Sequence, residues 1–261
     1  MKQLSDSYQA NGLLSPPIQK YFTSVGRELG KIMLNMNHNV KRSLARLGGI
    51  APVATTRSLR RAADLIDTAR WLREHSMLPF KASFPRRESI FNVIADATRE
   101  RQVLYLEFGV FEGYSMRYWS KALKNPRSIL HGFDSFEGLP ETWKEDHPRG
   151  RFAKGGAPPQ IPDTRVTFFK GWFGETLANY TLPAHEELII NIDCDLYSSA
   201  KCVLDSLKDS IHVGTWLYFD EFGSWDHEGR AFRELVEETG MRFEPEAESA
   251  AAWSAAFRRI E

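Results

Sequence analysis

From Gln102 onward the chain alternates short apolar runs with longer polar or amphipathic stretches. Val103–Phe108, Ile129–Phe133, Val166–Phe169, Leu188–Ile192 and Thr215–Phe219 are apolar at consecutive positions and not at every second one. Strands covered on both faces of a parallel sheet have this pattern. Between the fourth and fifth runs, Val203, Leu204 and Leu207 mark a helix with a cap at Ser198 or Ser199. A further helix over Arg230–Glu238 stops at Gly240, and Met241–Glu244 with Ser254–Ile260 read as a closing pair of strands. Alternation of this kind predicts an α/β fold, a doubly wound three-layer sandwich. Ahead of it, Leu59, Ala62, Leu65, Ile66, Ala69 and Leu72 recur at helical spacing. They predict an amphipathic helix from about Arg57 to His75, capped by Thr55 or Thr56. A second stripe, Ile90, Phe91, Ile94 and Ala97, follows Pro85. The first fifty residues are weakly patterned and predict marginal helices or partial disorder. Two parts result: residues 1–86, a basic helical extension or lid, and residues 87–261, the α/β domain.

Charge adds one fact to this division. Lys+Arg and Asp+Glu both number 34, so there is no net field to recruit nucleic acid. Residues 1–87 nevertheless hold 15 basic against 5 acidic side chains, a net of +10, which leaves −10 on the rest. Attraction between the two parts is the simpler use of that asymmetry. No apolar run approaches the roughly 18 residues of a membrane-spanning helix, and the first residues lack the apolar core of a signal peptide. Only Cys194 and Cys202 are present, without disulfide-framework or zinc spacing. The expected setting is a reducing cytoplasm, with no membrane or nucleic-acid partner. The striped helix could serve a homo-oligomer as well as its own domain.

In open α/β sheets the chemistry sits at the carboxyl ends of the strands. After the first strand comes E-F-G-V-F-E-G-Y-S, with Glu107, Gly109, Gly113, Tyr114 and Ser115. A glycine turn into a helix admits a ligand to the backbone. An acidic residue in the last turn of the strand would repel a pyrophosphate but suits an ammonium group, such as the one on S-adenosylmethionine. The plainer reading is two glycines for tight packing. Asp134 ends the second strand, 27 residues after Glu107, where a carboxylate can grip a ribose diol or simply cap a turn. Gly171-Trp172-Phe173 could offer an aromatic face to adenine, or be core. N-I-D-C-D-L-Y-S-S and Y-F-D-E-F then bring Asp193, Asp195, Asp220 and Glu221 to adjacent strand tips. Carboxylates so placed repel unless a cation neutralises them or they bind protons. All-oxygen donors select a hard ion such as Mg²⁺.

The run L-E-F-G-V-F-E-G-Y-S, G-F-D-S-F-E-G-L-P, G-W-F-G-E-T-L, I-D-C-D-L-Y-S-S, F-D-E-F resembles the macrocin O-methyltransferase family. Its members are class I (Rossmann-like) S-adenosylmethionine-dependent, usually magnesium-dependent enzymes acting on sugar hydroxyls of natural products. The likeness covers about Gln102 to the C-terminus and omits residues 1–85. It implies that Glu107, Gly109 and Ser115 hold the methionine end of S-adenosylmethionine, with Tyr114 nearby and Gly113 in the same cofactor-binding turn. Asp134 would take the ribose, bordered by Ser135 and Phe136, with Trp172 in the cofactor site. Asp193, Asp220 and Glu221 would bind Mg²⁺, with Asp193 also the candidate catalytic base. Asp220-Glu221 departs from the family's commoner acid pairs, which leaves the third ligand less fixed. The acceptor would be a small molecule with a sugar or diol hydroxyl.

Two other classes fit parts of the chain. Asp193-Cys194-Asp195 is a D-x-D, the metal clamp of nucleotide-sugar glycosyltransferases, but that reading leaves Glu107–Gly113 unexplained. A non-catalytic α/β binding protein would not need a polar residue at every strand tip. Among the histidines, His131 falls inside a strand and reads as packed, and His227 reads as surface or loop packing. Cys194, between two aspartates, reads as a small buried hydrophobe. Lys201 reads as a solvated helix residue.

Overall fold

The computed structural model describes residues 38–249 and 253–261. The expected partial order over the first fifty residues lies outside them as far as residue 37. The chain divides into two compact units between Leu59 and Arg60, not at residue 86. In the first unit, α1 (His38–Gly48) is a basic helix with Leu44 and Leu47 exposed.

The second unit is built on one sheet. It follows the end of α2 (Val53–Glu74) with β1 (Ala82–Phe84), α3 (Arg87–Thr98), β2 (Val103–Phe108), α4 (Tyr114–Ala122) and β3 (Ile129–Asp134). Next come β4 (Val166–Lys170), α5 (Phe173–Leu177), β5 (Glu187–Ile192), α6 (Tyr197–Leu207), β6 (Trp216–Phe219) and α7 (Glu228–Thr239). The strands β7 (Phe243–Ser249) and β8 (Ala255–Arg259) close the chain. Among the described residues the sheet order is β1-β7-β8-β6-β5-β2-β3-β4, with β8 antiparallel to both its neighbours and the other pairings parallel.

The consecutive apolar runs are explained by the two layers they separate. Leu104, Leu106 and Phe108 of β2 pack with Leu188, Ile190, Ile192, Leu217 and Phe219 against α6 and α7. Val103, Tyr105, Ile189, Trp216 and Tyr218 face the other way, against Ile90, Phe91 and Ile94 of α3 and Met116 and Trp119 of α4. Both faces of each central strand are therefore dry, and the doubly wound expectation holds. Gly240 closes α7 in the left-handed conformation expected of it.

Details of three helices differ from the sequence reading. The helix expected at Arg57 starts at Val53, directly behind Pro52, so Thr56 bonds back to the Val53 carbonyl and caps nothing. Its expected stripe is exposed at Leu59, Leu65 and Ile66 and fully buried only at Leu72; Thr68 and Trp71, off the stripe, are buried beside it. Only the last turns of α2 reach the sheet's helical layer, where Trp71 meets Phe232 edge-on and its Nε1 donates to Glu237. With Ala82–Phe84 paired to β7, residues 60–86 belong to the body of the α/β unit. In α3, Ala97 is exposed while Ala95 and Thr98 are buried. No serine caps α6; Leu196 stands at its N-cap without a side-chain bond.

Candidate active site

The carboxyl ends of the strands open into a cavity of about 590 Å³. Register accounts for what meets there. Glu107 lies beside Asn191 and Gly132 in one row across the sheet. One residue past the ends of β2, β5 and β6, the ladder continues as Gly109 N to Phe133 O, Asp193 N to Phe108 O and Asp220 N to Ile192 O. The two aspartates are thus held as neighbours by backbone pairing, before any side chain acts.

Glu107 lines the cavity from within the sheet and is buried. Tyr105 Oη donates to its Oε2 at 3.0 Å, and Asn191 Nδ2 donates to Tyr105 Oη at 2.7 Å. Burial pushes the Glu107 carboxyl up to about 8, against the Tyr105 bond and the Arg87 charge, which pull it down. A carboxylate in that position lacks a cation, and an ammonium group from a ligand would supply one.

Asp134 also lines the cavity, at the end of β3. Its Oδ2 accepts from the backbone N–H groups of Val110 and Phe111, both at 2.9 Å, and its Oδ1 accepts from Phe136 N at 2.7 Å. A carboxylate offers about four acceptor positions, so three are spent shaping the glycine loop and one remains. The expected two-hydroxyl grip on a ribose therefore reduces to a single acceptor position. Gly109, at φ 92°, is required twice over: a Cβ there would stand 1.8 Å from the Asp193 carbonyl oxygen.

Of the other residues expected near a cofactor, Tyr114, Ser115, Ser135 and Trp172 line the cavity. Gly113 does not; it is the left-handed N-cap of α4, packed on Pro159. Phe136 does not either. It is buried, with its ring edge-on to Phe168 and its backbone tying the loop to Asp134, Lys154 and Gly156.

The acids gather as expected. Asp193, Asp195, Asp220 and Glu221 all face the cavity. Burial first, and then Asp220 and Glu228, raise the Asp193 carboxyl well above its usual range. Asp195, in the left-handed region at φ 63°, is pushed up to about 7 by burial and Glu221. Burial raises Glu221 as well, opposed by Lys144. Asp220 Oδ1 accepts from Tyr218 Oη at 2.6 Å and from Ser254 Oγ at 3.3 Å.

Sequence reasoning missed three residues here. Glu228, fully buried at the start of α7, ties the two acidic loops together: Oε1 accepts from Cys194 N at 2.9 Å and Asp195 N at 3.0 Å, and Oε2 from Glu221 N at 3.0 Å. Arg87 puts Nη1 3.0 Å from Asp220 Oδ1 and 3.3 Å from Asp193 Oδ2. Lys144 faces the cavity over the ring of Trp143. None stands in a local motif; only proximity to the acids in space marks them. Among the described residues, no three acid, histidine or cysteine side chains are gathered so as to grip a metal as they stand. Arg87 lies between two of the three expected ligands. The donor chemistry nonetheless suits a hard cation, being all oxygen, with Asp193 and Glu221 raised by burial first and then by the neighbouring Asp220 charge.

The packed readings hold. His131 bonds Tyr180 Oη at 2.6 Å within the core, Cys194 is buried, and His227 sits at the N-cap of α7 against Trp143, away from the cavity wall. Lys201 is paired with Asp205 and Glu238 on the helix surface.

Residues 159–256 match the macrocin-O-methyltransferase (TylF) family. The expected family is borne out over that segment, which includes Trp172, Asp193, Asp220 and Glu221 and begins after Glu107 and Asp134. Among solved structures, the O-methyltransferase NovP is 20% identical over 67% of this chain and 78% of that one, with a TM-score of 0.51. That likeness shows the fold. The calicheamicin methyltransferase CalS11 is 18% identical over 96% of this chain and 95% of that one, at a TM-score of 0.48. An O-methyltransferase from Bacillus cereus, solved in complex with SAH, is 13% identical over 76% and 91%, at 0.44. No curated protein matches the sequence. No helix among the described residues is long and apolar enough to cross a membrane.

Proposed function

We propose that this chain, with its O-methyltransferase fold and macrocin-O-methyltransferase segment, moves the methyl group of S-adenosylmethionine to a hydroxyl of a sugar or other diol-bearing small molecule. Mg²⁺ assists in this reading. The observation that carries it is the joint presence of Glu107, Asp134 and the acid row on one cavity wall. Glu107 faces the cofactor's ammonium group, and the free acceptor position of Asp134 faces one ribose hydroxyl. Gly109 lets the backbone of the first loop approach the ligand, and Trp172 borders the adenine. Asp193, Asp220 and Glu221 would hold the ion, whose chemistry is to stabilise negative charge developing on the acceptor oxygen.

The acceptor hydroxyl and the sulfonium methyl must be aligned at about 3–3.5 Å. As the C–O bond forms, the C–S pair returns to sulfur, giving S-adenosylhomocysteine. The hydroxyl proton passes to a carboxylate oxygen of Asp193. Leu196 and Tyr197 occupy the positions behind the acid where a lysine base would stand.

Calorimetry with S-adenosylhomocysteine and with a nucleoside-diphosphate sugar, each with and without Mg²⁺, tests the reading. Saturable binding of S-adenosylhomocysteine is expected, with or without binding of the nucleotide sugar as an acceptor. Binding of only the nucleotide sugar would transfer the site to the glycosyltransferase class.

A further inference from the structure

Arg87 comes to the acid row from the first turn of α3, where the helix's own N–H groups make a positive charge unfavourable. The helix therefore does not explain its position, and the acids do. A single nitrogen, Nη1, serves Asp220 at 3.0 Å and Asp193 at 3.3 Å. Two of the three carboxylates assigned above to a divalent ion are already bound to a cation that belongs to the chain. Asp220 is additionally held from behind, by Tyr218 and Ser254, and its backbone by the ladder, so it stays in place whether or not the arginine does. The Arg87 side chain is 30% exposed and lines the cavity, against 15% for Asp220. Its guanidinium carbon also lies 5.4 Å from the ring of Tyr114, an exposed residue.

A divalent ion held by the same two carboxylates would stand a few ångströms from the guanidinium in a partly dry site, and the two charges repel. We propose that Arg87 is a displaceable counter-ion: it neutralises Asp193 and Asp220 in the cation-free protein and must withdraw for a divalent cation to bind them. Its charge then sets the cation affinity of the site. This rests on the reading that the acidic strand tips take a divalent ion.

The test titrates Mn²⁺ into the full chain, saturated with S-adenosylhomocysteine, and follows free Mn²⁺ by electron paramagnetic resonance. Wild type, Arg87→Gln, Arg87→Lys and Asp193→Asn are compared, with S-adenosylhomocysteine binding as the check that each is folded. Arg87→Gln should bind one Mn²⁺ about tenfold tighter or more, since the ion no longer displaces a paired charge. Arg87→Lys should stay near wild type, and Asp193→Asn should lose the site. Equal or weaker Mn²⁺ binding by Arg87→Gln, with wild type binding normally, overturns the counter-ion role and leaves the cation site standing. If neither binds Mn²⁺ while both bind S-adenosylhomocysteine, the cation reading fails and takes this proposal with it. Should Arg87→Gln fail the folding check, Arg87→Met is read by the same outcomes.

Discussion

Replacing Glu107 by Gln removes a charge while leaving shape and the Tyr105 bond in place, because the Gln carbonyl can accept from Tyr105 Oη as the carboxylate does. A hydrogen bond to a charged group contributes about 1.5–3 kcal/mol. The full value is reached only when Glu107 is ionised. Its carboxyl sits at about 8 in the ligand-free protein, so at pH 7 ionising it costs about 1.4 kcal/mol, one pKa unit. The variant should therefore lose about tenfold or less in S-adenosylhomocysteine affinity at pH 7. At pH 8.5 and above the loss should grow to between roughly tenfold and a hundredfold. The ligand's own amine titrates in this range, but equally for both proteins, so their affinity ratio isolates Glu107. Isothermal calorimetry at pH 6.5, 7.5 and 8.5 measures it. In wild type a proton should be released on binding below pH 8, visible as a buffer-dependent heat. A ratio that is flat with pH, or that shrinks as pH rises, would refute the ammonium assignment.

Glu228→Gln should destabilise the protein by about 1–3 kcal/mol, read as a lower thermal midpoint, because an amide NH₂ must face at least one of the three backbone N–H donors that Glu228 now satisfies. Gly109→Ala should cost about 3 kcal/mol or more, given the clash with the Asp193 carbonyl and the positive φ, and should abolish S-adenosylhomocysteine binding in whatever folds. The Glu107 and Asp195 carboxyls are raised to about 8 and about 7. Their folded forms hold protons that the unfolded chain has released, so ligand-free stability should fall as pH rises from about 5 to 8; thermal melts across that window check the sign, and a rising midpoint contradicts it. Asp193→Asn should lower turnover by orders of magnitude and Asp195→Asn by less, and the reverse ranking in a methyl-transfer assay would exchange their roles.

The sheet was legible because central strands buried on both faces leave unbroken apolar runs, and Val103–Phe108 was read to the residue. The strand-tip acids were legible for a related reason: parallel register converts a position after a run into a position in the cleft. Helix faces were less so. The stripe through Leu59, Leu65 and Ile66 has helical spacing, yet only the last turns of α2 meet the core; periodicity reports what a helix could bury, not where it is placed. Glu228 and Arg87 were not legible at all. One begins α7 and the other α3, and each meets the acids across a long stretch of sequence, with partners that are backbone amides or carboxylates already assigned elsewhere. Asp134 was found for a plausible reason, but its bonds to Val110, Phe111 and Phe136 give most of its capacity to the loop.

The most direct test of the central claim supplies S-adenosylmethionine with a deuterated methyl group, Mg²⁺ and a panel of sugars, nucleotide sugars and catechols, and follows products by mass spectrometry. Transfer of the labelled methyl to a hydroxyl of at least one diol, with an equal yield of S-adenosylhomocysteine and loss of both in Asp193→Asn, is the predicted result. Tight binding of S-adenosylhomocysteine with transfer only to nitrogen, sulfur or carbon acceptors, or transfer undiminished in Asp193→Asn, would contradict the account.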